Sequence, residues 1–301
     1  MSRALSVLAL GAAVKVALAG TLQTCSSSSP LSCSSDSTEA SCCYESPGGL
    51  LLQTQFWDYS PSIGPSDSWG IHGLWPDNCD GSYQSNCDSS RDYTDITSLI
   101  QNAGKTDLLD YMNTYWQSND ESSEDFWEHE WSTHGTCVNT IDPSCYSDYS
   151  TGDEAVDFFQ QVVDLFKTLD TYSALADAGI TPDDSATYYL SDIQDAASAI
   201  HGGKIPYFGC SSGALSSAYY YFYISGNAIN GTYTPVDSPP TAPRVESSTL
   251  PSLVKCDFMK SKKEEECMKV QWRERGSVGQ IRAYCGEYLD VWNEARLNDQ
   301  H

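Results

Sequence analysis

The sequence predicts an α+β fold: a mainly antiparallel central sheet flanked by helices and stapled by disulfides. Three observations point there. Strand-like runs and helix-like runs occur in mixed order, without a βαβ rhythm or a glycine-rich phosphate loop. Hydrophobic residues make up 40% of the 301-residue chain, enough to bury a proper core. The chain also carries 12 cysteines, an even and dense set that reads as a disulfide framework in an oxidising compartment.

The N-terminus indicates that compartment. Arg3 precedes an apolar run from Leu5 to Ala19, interrupted by Lys15, and Ala17-Leu18-Ala19 supplies a small-x-small cleavage pattern. Residues 1–19 therefore read as a signal peptide. No other stretch is long and apolar enough to cross a bilayer, so the mature protein is expected to be a soluble monomer with no membrane partner. It would be secreted to the extracellular space or delivered to a vacuole or lysosome. Four cysteines between Cys25 and Cys43 lie in a Ser-rich stretch with few apolar residues. Such a segment cannot fold by burial; cross-links must hold it, each contributing roughly 2–4 kcal/mol. Cys-x-x-Cys pairs are absent from the sequence, which argues against zinc.

Taken in order, residues 50–57 follow Pro47-Gly48-Gly49 and read as a strand, as do residues 69–77, which end in a turn. Ile96, Leu99, Ile100, Leu108, Leu109, Met112 and Trp116 recur at helical spacing, predicting helix between Asp92 and Trp116. Residues 126–137, FWEHEWSTHGTC, suit a helix ending at Gly135. Residues 153–178 form the clearest amphipathic helix, with Val156, Phe159, Val163, Phe166 and Leu169 on one stripe. Thr181-Pro182-Asp183 then signals a helix running to about Ile200. IPYFGC and AYYYFYISG follow as aromatic-rich strands, with Tyr219 to Tyr223 expected to be half-buried. Asn230-Gly231-Thr232 is an N-glycosylation sequon in a turn.

From Pro235 the character changes to a linker-like stretch. Residues 21–250 hold 5 Lys+Arg against 32 Asp+Glu, whereas residues 251–301 hold 9 of each. That shift marks a boundary. The formal net charge of −25 is the opposite of the basic footprint usual in a polyanion binder. Carboxylates lose much of their charge near pH 4–5, where histidines are cationic, so a nucleic-acid enzyme of this composition should work in acid.

Reactive side chains concentrate in two segments. Of 5 histidines, His72 lies in WGIHGLWPDNCDGSY, and His129 and His134 flank Glu130 in FWEHEWSTHGTC. His201 reads as a solvated helix end and His301 is terminal. A zincin helix needs two histidines four apart; these are five apart, about 140° around a helix. Glu130 and His134 form the i, i+4 pair instead, placing a carboxylate where it can orient or charge an imidazole. There is no Gly-x-Ser-x-Gly elbow, and the cysteines are committed to bridges. Histidines with a nearby carboxylate suit cleavage of an RNA phosphodiester. One imidazole takes the ribose 2′-hydroxyl proton, a second protonates the departing 5′-oxygen, and a third cation faces the phosphoryl oxygens. The nucleophile belongs to the substrate, so no metal or cofactor is required.

IHGLWPD and FWEHEWSTHGTC resemble the two active-site segments of the ribonuclease T2 family, its fungal branch in particular, and the likeness extends over roughly residues 25–235. The resemblance implies an α+β endoribonuclease that cleaves single-stranded RNA through 2′,3′-cyclic phosphates to 3′-phosphates, with low base specificity. It makes His72 the general acid and His134 the general base, the two exchanging roles in hydrolysis. His129 would hold the phosphate, with Glu130 polarising it or stabilising the pentacoordinate state. Trp75, Asp77 and Tyr83 match a site for the base 5′ of the cut. Ring stacking there contributes roughly 1–3 kcal/mol per base, and an aspartate accepting from an exocyclic amine would favour adenine. Phe126 matches a second base site. The implied bridges are Cys25–Cys43, Cys33–Cys79, Cys42–Cys145 and Cys87–Cys137, with Cys210 paired to Cys256, Cys267 or Cys285. The domain plan becomes a signal peptide over 1–19, a ribonuclease catalytic domain over 20–235, and a linker with an atypical tail over 236–301. One departure stands out: many members carry Lys where this chain has Thr133. A catalytically weakened module that binds RNA or signals is therefore the alternative.

Overall fold

A computed structural model of the chain describes residues 20–34, 40–58, 63–183, 186–211 and 214–239, together with the backbone of short strands further along. The expected signal peptide lies outside the described residues, as does most of the tail.

The sheet is built around two strands covered on both faces. β1 (Thr21–Leu22) and β4 (Tyr146–Ser147) form a separate small ribbon. β2 (Leu50–Phe56) pairs antiparallel with the edge strand β3 (Gly70–Asp77) and, on its other side, with β7 (Ala214–Ser225). β6 (Tyr207–Ser211) and β8 (Thr232–Val236) also run antiparallel to β7. β5 (Thr187–Tyr189) pairs antiparallel with β9 (Lys255–Asp257), which meets β7 through one parallel bridge at Ala214. A strand from the sequence-defined tail thus completes this sheet, and β10 (Gln271–Glu274) with β11 (Ser277–Gln280) makes a further hairpin. Alternation along β2 explains its continuous apolar start. Leu51 joins the large core beneath the helices, whereas Leu50 and Leu52 join a smaller cluster with Tyr219 and Tyr221 on the opposite face. The same double cover corrects the half-buried expectation for β7, because Tyr219, Tyr220, Tyr221 and Phe222 are all buried.

The helices follow the apolar spacing but are shorter than it suggests. The stretch from Asp92 to Trp116 divides into α1 (Ile96–Asn102) and α2 (Thr106–Tyr115), with Gly104 at φ 71° between them. α3 (Ser123–Thr133) starts at Ser122, whose hydroxyl accepts from the Asp125 N–H, and His134 caps its end. The amphipathic run splits into α4 (Asp153–Phe166) and α5 (Thr171–Asp177), because the Asp170 side chain accepts from Ser173 N and starts a new helix. α6 (Leu190–Ser198) begins at Leu190, eight residues after the Pro182 signal. Before it, Asp183 accepts from Ala186 N at 3.1 Å, and β5 follows. Pairing with a strand far along the chain overrides the local helix signal there.

His201 also departs from expectation. Its surface is fully buried, its ring packs edge-on against Tyr220 and Phe222, and Nε2 lies 3.3 Å from the Val236 carbonyl. Gly202 and Gly203, at φ 61° and 76°, form the turn that follows it.

The four bridges implied by the resemblance are all present: Cys25–Cys43, Cys33–Cys79, Cys42–Cys145 and Cys87–Cys137. Cys210 is disulfide-bonded as well. Among the described residues no helix is long and apolar enough to cross a membrane.

Candidate active site

The site begins with an irregularity in β3. Gly73 sits opposite Thr54 and Ile71 opposite Gln55, so the register skips His72. His72 is the extra residue of a β-bulge. Under strict alternation it would point to the face opposite Trp75, into the helical core. With Ile71 occupying that side, the His72 ring joins Trp75 and packs against Phe56 at 5.8 Å and Phe126 at 5.6 Å. Bulges re-aim side chains in this way.

The second segment arrives on α3. Phe126, Glu130 and His134 follow at four-residue intervals, while Trp127 and Trp131 turn into the core and donate their indole N–H groups to the Trp116 and Arg91 carbonyls. Glu130 is fully buried. Its Oε1 lies 3.3 Å from His72 Nε2, and its Oε2 accepts from Trp75 Nε1 at 2.9 Å. The contact partner of Glu130 is therefore His72 on β3, while its charge also acts on His134 at the helix cap. Gly73 permits this approach. A Cβ there would lie 1.9 Å from Glu130 Oε2.

Trp75 links the two imidazoles. Its ring centre is 4.8 Å from that of His72, edge-on, and 4.8 Å from that of His134, stacked at 20°. The two environments differ. Burial pushes His134 down to about 4, and charge on His72 and His129 adds to that, against the pull of Glu130. Burial alone would raise Glu130, but the proximity of His72, with help from His134 and Trp75, holds its carboxyl below the ordinary value. His129 is half-buried on α3, near enough for its charge to act on His134.

The expected base-site residues divide. Trp75 and Asp77 share one face of β3, and burial pushes the Asp77 carboxyl up to about 7. Tyr83 bridges Asp77 through the backbone, and its ring is 63% exposed. Phe126 is buried beside His72. Thr133 is buried too, and its carbonyl accepts from Asn86 N at 3.0 Å. The cationic side chains among the described residues are engaged elsewhere: Arg91 with Asp88 and Thr136, Lys105 with Gln160, Lys167 with Asp164, and Lys204 with Asp237. Among the described residues no group of three or more His, Cys, Asp or Glu is disposed to hold a metal ion. Three contributors escaped the sequence reading: Phe56, Gly73 and Tyr219, whose ring lies 5.6 Å from Trp75. An isolated glycine inside a strand was a usable signal of close approach; the other two depend on strand register.

Fold and site together define a class: a disulfide-linked α+β protein in which an edge strand and a helix bring two imidazoles around one tryptophan and a buried carboxylate. The model of the Ribonuclease T2 family matches residues 48–231, and the chain belongs to that family. It is 66% identical over 215 residues to Ribonuclease M of Aspergillus phoenicis, covering 71% of this chain and 90% of that one. It is 53% identical over 254 residues to Ribonuclease T2 of Aspergillus oryzae, covering 83% and 91%. Among solved structures, the T2 ribonuclease Actibind superposes with a TM-score of 0.73 at 58% identity, over 81% of this chain and all of that one. RNase NT in complex with 5′-AMP superposes with a TM-score of 0.51 at 25% identity, over 70% and 97%.

Proposed function

We propose that this chain is an endoribonuclease that cleaves single-stranded RNA by transphosphorylation followed by hydrolysis, without a metal or cofactor. The observation that carries the reading is the pairing of two imidazoles in unlike surroundings, both against Trp75. His134, pushed toward its neutral form, is suited to accept a proton. His72, whose Nε2 lies 3.3 Å from a buried carboxylate, is held in place to give one to the departing oxygen.

The chemistry follows from that asymmetry. His134 takes the proton of the ribose 2′-hydroxyl as the 2′-oxygen bonds to phosphorus. The bond from phosphorus to the 5′-oxygen breaks, and His72 protonates the departing oxygen. This leaves a 2′,3′-cyclic phosphate. In the second step His72 takes a proton from water as it attacks phosphorus, the bond from phosphorus to the 2′-oxygen breaks, His134 protonates that oxygen, and a 3′-phosphate forms. His129 faces the phosphoryl oxygens. Glu130, buried away from substrate, acts by orienting His72. With Thr133 in place of a lysine, positive charge at the phosphate comes from imidazolium. The rate should therefore rise through about pH 4, as His134 becomes neutral, and fall as the remaining imidazolium is lost. An optimum above pH 8 would contradict this.

Trp75, Asp77 and Tyr83 form the site for the base 5′ of the cut, with Phe126 at the second base. Asp77, as an acceptor for an exocyclic amine, would favour adenine there. The domain plan assigns catalysis to residues 20–235 behind a signal peptide, with secretion or vacuolar delivery and monomeric action. Asn230, exposed in the turn between β7 and β8, is positioned to accept a glycan.

Thr133 favours one competing reading, a module that binds RNA without cutting it. RNA cleavage assayed with chelator present, against His72→Ala and His134→Ala, separates the two. Chelator-resistant cleavage abolished by either substitution supports the enzyme. Binding without cleavage by the unaltered protein supports the module.

A further inference from the structure

Trp75 touches more of the reaction centre than base stacking requires. Its ring plane is set by the protein: His134 is stacked on it, the His72 edge meets it, and Tyr219 lies 5.6 Å away. Across the ladder it sits opposite Leu52, whose side chain is buried. At the same time Nε1 donates to Glu130 Oε2 at 2.9 Å. That carboxylate is fully buried, and a buried charge depends on every partner it has. The other side-chain partner found for it is His72, on the opposite oxygen. The indole therefore fixes one end of the carboxylate while the imidazole takes the other.

His134 depends on the same residue in a different way. It follows the last residue of α3 as the helix cap, its N–H bonded to the Glu130 carbonyl. Among the described residues no hydrogen bond to its ring is found, and its ring contact is the stack on Trp75.

We propose that Trp75 is a positioning residue for the ribonuclease reaction: its N–H anchors Glu130 beside His72 while its ring face backs His134, so one side chain sets the spacing of both imidazoles. The inference rests on the ribonuclease reading and deepens it. Base stacking needs the ring alone, whereas anchoring needs Nε1, so the two roles are separable by experiment.

Trp75→Phe keeps an aromatic ring and removes the N–H. With an adenine dinucleotide substrate, kcat should fall about tenfold, the rate equivalent of one charge-assisted hydrogen bond, while KM stays within about twofold. In a Glu130→Gln background the same substitution should add less than about twofold, because its effect runs through Glu130. An unchanged kcat with raised KM or altered base preference would overturn the proposal, as would a full, multiplicative loss on top of Glu130→Gln. Should Trp75→Phe fail to fold, the indole N–H resonance of Trp75 is read in the unaltered protein and in Glu130→Gln. It should shift, with the other seven of the 8 indoles unmoved, and a stationary resonance overturns the proposal. RNA cleavage by the unaltered protein separates the two levels. Its absence removes the ribonuclease reading, whereas its presence with an indifferent Trp75→Phe removes this inference alone.

Discussion

Replacing Gly73 with alanine asks how closely Glu130 must approach the strand that carries His72. The new methyl would fall 1.9 Å from Glu130 Oε2 and 3.0 Å from Trp75 Nε1. A carbon and an oxygen in contact need roughly 3.3 Å, so the carboxylate must retreat by about 1 Å or more. The bond of 2.9 Å to Trp75 and the pair of 3.3 Å with His72 cannot both survive such a shift. Misplacing a reacting group by about 1 Å costs up to about 10²-fold in rate, or about 2.7 kcal/mol of barrier at roughly 1.36 kcal/mol per decade. A weakened hydrogen bond to a buried carboxylate should also lower stability by about 1–3 kcal/mol, which a domain with about 5–15 kcal/mol in hand survives. The assay is kcat for a dinucleoside phosphate in mild acid, with thermal melts confirming that the variant is folded. A folded Gly73→Ala protein whose kcat stays within about threefold would refute the reasoning, since Glu130 would then have no need to lie against β3.

Three further outcomes follow from buried groups. His201 is pushed down to about 4 by burial from an unfolded value of about 6.5, so the fold holds its neutral form. Its contribution is complete above about pH 6.5 and is lost as pH falls toward 4, by about 3 kcal/mol. Urea melts at pH 7 and pH 4 should show a smaller difference for His201→Phe than for the parent; equal differences would contradict this. Asp77, pushed up to about 7, becomes a charged acceptor only as pH rises past that value. The ratio of cleavage after adenine to cleavage after uracil should climb between pH 5 and pH 8 and stay flat in Asp77→Asn. Cys42–Cys145 closes a loop with sequence separation 103. Removing both cysteines should cost about 3–5 kcal/mol by loop entropy, read from the denaturant midpoint, and a loss under about 1 kcal/mol would count against it.

How much of this was legible in the sequence depends on the range of the interactions. The histidines, Glu130 and the aromatic residues lie in two short segments, and the alternation and helical spacing around them were enough to assign strand and helix. The bulge at His72 was not visible locally. It arises from pairing with Thr54 and Gln55, and it changes which face His72 serves. The contact between Glu130 and His72 was hidden for the same reason: spacing along α3 showed His134, on which the Glu130 charge acts, while His72 comes from a strand elsewhere. Asp183 shows the converse: its cap-like context was real, since it accepts from Ala186 N, yet a strand follows because β9 offers backbone partners. His201 read as solvated from its neighbouring glycines, yet its ring is buried against Tyr220 and Phe222. Local chemistry was readable from local residues; placement that depends on strand register was not.

Product analysis tests the central claim most directly. RNA digested in mild acid with chelator present should yield 2′,3′-cyclic phosphate ends first and 3′-phosphate ends later, followed by phosphorus NMR, with His72→Ala and His134→Ala forming neither. Products ending in 5′-phosphate, or cyclic phosphate formed undiminished by either variant, would contradict the two-imidazole mechanism.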